Sequence, residues 1–388
     1  MKIFFLLVAS FLISASSLSA LDNGLAKTPP MGWNSWNKFA CNVSEDLVRS
    51  EADAMVASGM RDAGYQYIVI DDCWQVSRDK DGTIVADPQR FPSGIKALAD
   101  YVHSKGLKFG IYSDAGTATC QKRPGGRGYE FQDARTYAAW GVDYLKYDWC
   151  NHSTQDSAAS YAIMRDALLA SGRPIVFSIC EWGSTKPWLW AQNIGNLWRS
   201  GGDIGDSFAG NGNKEPLGIL PILDHNADLY PYSGPGHWND PDMLEVGNGG
   251  MTNTEYISHF SLWAMLAAPL MAGNDLRTMS PEIREILTNR EVIAVDQDAL
   301  GQQGRRVYKD GDLEVWSRPL HDGSRAVILF NRGPATQTIR ASWSDLGYPE
   351  HLRATVRDLW QHKELGYYTG SFSAPVESHG VVMVIVKP

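Results

Sequence analysis

The chain has 388 residues, 44% of them hydrophobic. That is enough for about two domains and a sizeable buried core, which excludes disorder as its main state. It carries 35 basic and 44 acidic residues, a net charge of −9, with no basic run to meet a nucleic-acid backbone. The 14 Trp and 16 Tyr beside 37 Gly suit flat amphipathic ligands such as sugars, although an ordinary aromatic core would use the same residues.

Residues 1–20 run from Lys2 through an apolar stretch at 3–15 to small residues ending at Ala20, the order of a secretory signal, so the mature chain is expected from Leu21. The apolar stretch is too short to span a bilayer, and the other comparable one, 262–273, contains Pro269. No membrane partner is expected, and the destination is extracytoplasmic, secreted or lysosomal. The five cysteines, Cys41, Cys73, Cys120, Cys150 and Cys180, leave at least one unpaired, and none lie at the close spacing of a structural zinc site. Disulfides are the expected use in an exported chain. Asn42-Val-Ser44 and Asn151-His-Ser153 are glycan acceptor motifs, relevant to a eukaryotic secretory pathway.

From residue 28 to about 298, short β-branched or apolar runs alternate with amphipathic stretches. Strands are predicted near 31–33, then at 67–71, 107–112, 144–148, 174–180, 197–199 and 236–239, and near 269–272. A helix is predicted over 44–58, capped by Ser44, with Leu47, Ala54 and Met55 at helical spacing. Eight strands are the number of a (β/α)8 TIM barrel, assigned here to 21–300. A doubly wound Rossmann sheet is the rival, but no G-x-G-x-x-G follows the first strand. After Gly301-Gln-Gln-Gly304 the helices stop, and the runs 312–318, 325–330 and 380–386 predict a C-terminal antiparallel β-sandwich domain over 301–388.

Ligands of such a barrel meet the carboxyl ends of its strands. Those ends carry Asp71 and Asp72, Asp114, Asp148, Glu181, Asp203, and Asp240 with Asp242. A single strand-end Asp is most simply a helix cap or turn residue, but a convergent set repels itself and needs cations, a metal or a chemical role. Lys146 lies two residues before Asp148, on the same strand face, where an ammonium favours an ionised carboxylate suited to nucleophilic attack; a structural ion pair is the plainer alternative. Asp203 lies in Ser200-Gly-Gly-Asp-Ile-Gly-Asp206, a turn able to bend a carboxyl over a site or simply a loop with two acids. Trp33, Trp36, Trp74, Trp149, Trp182 and Trp238 adjoin these ends, where indoles stack on sugar C–H faces. The motifs of zinc proteases, serine esterases and P-loop nucleotide hydrolases are missing from the sequence.

Met31-Gly-Trp-Asn-Ser-Trp36, Asp71-Asp-Cys-Trp74, Tyr144-Leu-Lys-Tyr-Asp-Trp-Cys150, Cys180-Glu-Trp182, Trp198-Arg-Ser-Gly-Gly-Asp203 and Trp238-Asn-Asp-Pro-Asp-Met243 together resemble glycoside hydrolase family 27, the α-galactosidases, over nearly the whole mature chain. The resemblance implies a retaining hydrolase of terminal α-galactosides, without cofactor or metal, with Asp148 as nucleophile and Asp203 as acid/base. It places Trp36, Asp71, Asp72, Tyr112, Cys120, Lys146, Glu181, Arg199 and Asp242 against galactose, with Asp71 and Asp72 on the axial 4-hydroxyl and the 6-hydroxyl. It also implies Cys41–Cys73 and Cys120–Cys150 disulfides. Some relatives pair the cysteine at 180 with one near the sixth strand, where this chain has none, so Cys180 should be a free buried thiol. Glu181 is expected to fill the room that a 2-acetamido group would need. That favours galactose over N-acetylgalactosamine, with α-N-acetylgalactosaminidase or β-L-arabinopyranosidase activity as the alternatives within the family. The aglycone and a homodimeric state stay open. Two other classes compete: a metal-dependent barrel isomerase using Asp72, Asp148, Asp203 and His237, and a non-catalytic sugar-binding protein.

Overall fold

The computed structural model describes residues 21, 23–212 and 214–388; the predicted leader lies outside them. Eight parallel strands form one curled sheet: β1 (Met31–Asn34), β2 (Tyr67–Val69), β3 (Lys108–Asp114), β4 (Tyr144–Asp148), β5 (Val176–Cys180), β6 (Leu197–Arg199), β7 (Trp238–Asp240) and β8 (Leu270–Ala272). Neighbours follow chain order, and β8 pairs with β1. The ring closes just past β7, where the Leu244 N–H donates to Met271 O (2.8 Å) and Leu244 O accepts from the Gly273 N–H (3.0 Å). Between β7 and that closure the chain bends at Asp242, whose φ of 99° lies in the left-handed region. The strands are buried on both faces, as a helix-wrapped parallel sheet requires, and their apolar runs follow from that.

The longer helices are α1 (Glu45–Ala57), α2 (Gly94–Ser104), α3 (Glu130–Trp140), α4 (Ser157–Ala170), α5 (Ile219–Asn226), α6 (Asn253–Met265), α7 (Pro281–Leu287) and α8 (Arg290–Asp296). In α1 the Ser44 hydroxyl accepts the Leu47 N–H (3.3 Å), as a cap should. Its inward stripe is Val48, Ala52 and Met55, with Leu47 and Ala54 only half-buried, so the apolar face is rotated slightly from the expected one. The β5–β6 connection departs from a strict barrel, with two single 3-10 turns, Pro187–Leu189 and Ala191–Asn193, where a helix would stand. A short hairpin pairs Gln75–Arg78 with Ile84–Ala86 in the loop after β2. Among the described residues no helix is long and apolar enough to cross a membrane. The apolar run at 262–273 is instead the end of α6 leading into β8.

Eight antiparallel strands follow: β9 (Arg305–Asp310), β10 (Leu313–Pro319), β11 (Arg325–Asn331), β12 (Gln337–Ser342), β13 (Arg353–Asp358), β14 (Lys363–Thr369), β15 (Ser371–Val376) and β16 (Val381–Lys387). Six make a sheet ordered β9-β10-β11-β16-β13-β14, and β12 pairs with β15. Val315, Leu329 and Val384 on one face of the large sheet pack with Trp343 and Phe372 in the sandwich core. Trp316, Ile328, Phe330 and Met383 on the other face join the barrel's own core. Arg318, fully buried, fastens this contact by donating to Ala264 O (2.7 Å) near the end of α6 and to Asp296 O (3.1 Å) at the end of α8. Carbonyls at helix C-termini need such donors.

Candidate active site

A cavity of ≈ 550 Å³ opens at the carboxyl ends of the barrel strands. All the residues carried over to the site line it except Glu181.

At the end of β1, Asn34 turns the chain by accepting the Trp36 N–H (2.8 Å), and its amide donates to Asp71 Oδ2 (2.8 Å). The same Asp71 oxygen accepts from Lys146 Nζ (2.8 Å), while Oδ1 accepts the Asp72 N–H (2.9 Å). Asp72 in turn accepts the Cys73 N–H (2.6 Å) and, from the loop after β3, the Gln121 N–H (3.0 Å). Burial raises the Asp72 carboxyl above the usual range against these bonds. The disulfides Cys41–Cys73 and Cys120–Cys150 tie the loops around the mouth, and Cys180 is free and buried. That is the expected pairing.

On β4, Lys146 and Asp148 share a face, and the register sets Tyr112 opposite Lys146 and Cys180 opposite Asp148. Asp148 is buried, with Oδ2 accepting the Tyr112 hydroxyl (2.9 Å) and Oδ1 the Trp149 N–H (2.9 Å). Burial foremost pushes its pKa up to about 6; Lys146 opposes this and Asp203 adds to it. Burial is also the largest single influence on Lys146 and works against its charge, but the negative groups around it, Asp71 first and Asp148 among them, together outweigh it and keep the ammonium charged.

On β6, Arg199 Nη2 lies 2.7 Å from Asp242 and 3.1 Å from Asp203. Asp203 is half-exposed at the mouth. Burial works against its charge, yet Arg199, and then Lys146, hold its carboxyl below the usual range. Asp242 is buried, accepts the Ile204 N–H (2.9 Å) and the Met243 N–H (2.8 Å), and is pushed up to about 6 by burial against the pull of Arg199. Cys73 (φ 77°), Trp182 (φ 57°) and Asp242 (φ 99°) all hold left-handed backbone at this rim, where strain commonly concentrates at functional sites.

Glu181 departs from the expectation. It is fully buried and does not line the cavity; its Oε2 accepts the Thr185 N–H (2.7 Å) and hydroxyl (2.9 Å). β5 ends at Cys180, and the chain turns there through Trp182 (φ 57°), so strand alternation no longer sets where these two side chains lie. Trp182 lines the cavity instead. Two other strand-end acids also stand outside the main cavity. Asp114 accepts the Gly116 and Cys150 N–H groups and is pushed up to about 8 by burial and then by Asp148. Asp240 accepts the Asp242 N–H (2.9 Å) and shapes the bend.

Sequence reasoning missed part of the outer wall: Asn37, Lys38, Asp206, Glu245 and Asn248. Asp206 had a signal, the second acid of the glycine-rich turn, and Glu245 follows directly on the barrel-closing Leu244. Glu245 accepts from the Asn37 and Asn248 amides, and burial pushes its pKa up to about 7 against both.

The metal-ligand set of the isomerase alternative is not assembled, because His237 lies outside the cavity lining with its ring beside Trp198 (6.2 Å). Asp114, Cys120, Asp148 and Cys150 do cluster, but the two sulfurs are bonded to each other and offer no thiolate. What the cavity offers is a buried carboxyl beside an ammonium, a half-exposed carboxyl beside a guanidinium, and a ring of further acids and aromatics. Of the two sequons, Asn42 is exposed, whereas the Asn151 amide donates to Ala118 O and Thr119 O.

The family described as alpha galactosidase A matches residues 28–298, and the alpha galactosidase C-terminal beta sandwich domain matches 310–386. The chain is 53% identical to an alpha-galactosidase of Cyamopsis tetragonoloba, over 95% of this chain and 88% of that protein. It is 51% identical to alpha-galactosidase A of Cellvibrio japonicus, over 98% and 97%. The crystal structure of alpha-galactosidase I from Mortierella vinacea superposes with a TM-score of 0.92 at 41% identity, covering 94% of this chain and 98% of that one.

Proposed function

Because this chain belongs to the glycoside hydrolase family 27 α-galactosidases and is a retaining α-galactosidase, we propose that it releases terminal α-D-galactosyl residues through Asp148 as nucleophile and Asp203 as acid/base. The observation that supports this most is the pair's shared cavity: one carboxyl buried and under the influence of the Lys146 ammonium, the other half-exposed at its mouth.

An Asp148 oxygen bonds to C1 of the sugar while the C1–O bond to the aglycone breaks and Asp203 gives its proton to the departing oxygen. The Tyr112 hydroxyl and the Trp149 N–H hold Asp148 in one orientation for this attack. Asp203, now ionised, takes a proton from water as the water oxygen attacks C1 and Asp148 leaves. The product is α-galactose.

In the free site the electrostatics favour the reverse distribution of the proton, with Asp148 raised and Asp203 lowered. The Asp203 carboxylate itself helps to raise Asp148, and the productive form carries one proton between the two, on Asp203. A sugar filling the mouth removes water from half-exposed Asp203 and raises its proton affinity. Positive charge developing at C1 stabilises ionised Asp148 at the same moment.

Asp71 and Asp72 serve the 4- and 6-hydroxyls in this account, and a substrate lacking either leaves a buried acid unpaired. The Trp182 indole takes the wall position expected of Glu181 and limits room for a 2-acetamido group. Two disulfides support an extracytoplasmic site of action. A 5-fluoro-α-galactosyl fluoride should trap a galactosyl ester whose peptide maps to Asp148. A stable label on Asp203 would overturn the assignment.

A further inference from the structure

We propose that the C-terminal β domain positions the acid/base loop of the barrel, through the ring contact between Phe208 and His379. The proposal rests on the assignment of Asp203 above.

Asp203 begins the connection between β6 and α5, whose described residues 203–212 and 214–218 pair with each other. The Leu217 N–H donates to Asp203 O (2.7 Å), and the Gly205 N–H donates to Leu217 O (2.9 Å). The backbone that carries the carboxyl is therefore tied to the returning segment of the loop at Leu217. The inner edge of that loop is held by Asp242, which accepts the Ile204 N–H. Its flank is held by Asp206, whose carboxylate accepts the Tyr256 hydroxyl (3.1 Å) and the Gly250 N–H. A Cβ at Gly250 would lie 2.2 Å from Asp206 O, so nothing larger fits that contact.

The tip is held differently. Phe208 is the only large apolar residue between Ile204 and Leu217, and it is buried. Two rings of the β domain pack on it. His379 stacks at 4.7 Å with 20° between planes, and Phe330 of β11 meets it edge-on at 6.2 Å. His379 is itself fixed from the barrel side. Its Nδ1 lies 2.8 Å from Glu255 Oε1 and its carbonyl accepts the Ser258 hydroxyl (2.6 Å), both residues of α6. Its φ of 58° is left-handed, a state few residues other than glycine adopt and to which histidine is better suited than most. The β domain thus presents two rings, one of them the firmly held His379, to the large apolar side chain of the loop that carries the half-exposed acid. Backbone bonds from Ile219 and Leu220 to Ser207 O and Phe208 O (both 3.0 Å) link the tip to α5 as well, so the test must separate the two supports.

A displaced acid matters where the leaving group needs a proton and not where it leaves unaided. The assay compares kcat/KM, which reports on the first glycosyl transfer, for an alkyl α-galactoside and for 2,4-dinitrophenyl α-galactoside with the full chain. His379→Ala and Phe208→Ala should lose on the order of tenfold on the alkyl substrate and stay within about twofold on the activated one. His379→Phe, which keeps a stacking ring without the Glu255 bond, should restore the ratio. The ratio of the two substrates does not depend on how much enzyme is folded. Equal losses on both substrates, or none, would overturn the proposal while Asp203→Ala still discriminates between them. If Asp203→Ala does not discriminate, the acid/base assignment itself fails and this proposal with it.

Discussion

Replacing the nucleophile should stabilise the protein at neutral pH. Asp148 is 6% exposed, and its pKa rises from 3.8 to about 6 on folding, with burial as the first cause. A rise of about two at ~1.36 kcal/mol each makes a penalty of about 3 kcal/mol for carrying the ionised carboxylate in the fold. Because the folded pKa is the higher one, the penalty is absent below the unfolded value near 4, grows between there and about 6, and is constant above. Asp148→Asn removes it. The carboxamide has one acceptor oxygen for two donors, the Tyr112 hydroxyl and the Trp149 N–H, a pH-independent loss of about 1 kcal/mol. The inactive variant should therefore match or fall slightly below the parent at pH 4 and exceed it by about 2 kcal/mol at pH 7. Thermal midpoints of both proteins at pH 4, 5, 6 and 7 read this directly. A midpoint difference that does not change with pH would refute the reasoning, because it would mean that no buried carboxylate is being ionised there.

The shared proton of Asp148 and Asp203 predicts that kcat/KM falls as pH rises through about 6, and that in Asp203→Ala, assayed on an activated aryl galactoside, it rises to a plateau instead. An unchanged alkaline limb in that variant would contradict the pairing. Trp182→Ala should increase hydrolysis of an α-N-acetylgalactosaminide relative to the galactoside, and Glu181→Ala should leave that ratio unchanged; the opposite pattern would put Glu181 at the sugar. Removing both Cys41 and Cys73 as serines should cost about 2–5 kcal/mol and reduce activity, since Cys73 follows Asp72 directly and donates its N–H to it. An unaltered unfolding midpoint would show that the bridge carries no stability.

Much of the fold was legible because barrel strands buried on both faces read as short apolar runs, such as the one ending in Val69, and an acid marks where several of them stop. In the β domain, β10 and β11 were equally clear because Trp316 and Ile328 face the barrel while Val315 and Leu329 face the sandwich. Strands β12 and β14 escaped notice because their many exposed positions leave only isolated apolar residues. The same alternation explains the site. Lys146 and Asp148 were legible as sharing one face because both lie within β4, whereas Glu181, expected at the sugar from its strand-end position and its motif, lies just past the end of β5, where the chain turns and spacing by twos no longer reports the facing. Asn37, Glu245 and Asn248 come together only through barrel closure at Leu244, a long-range pairing that local spacing does not encode.

The most direct test of the two-carboxylate account is the stereochemistry of azide rescue. With the nucleophile deleted in Asp148→Gly, azide occupies the β face and should yield β-galactosyl azide from an activated α-galactoside. With the acid/base deleted in Asp203→Ala, azide attacks the galactosyl ester from the other face and should yield the α-azide. The reverse pairing of variants and anomers would contradict the roles assigned to the two residues.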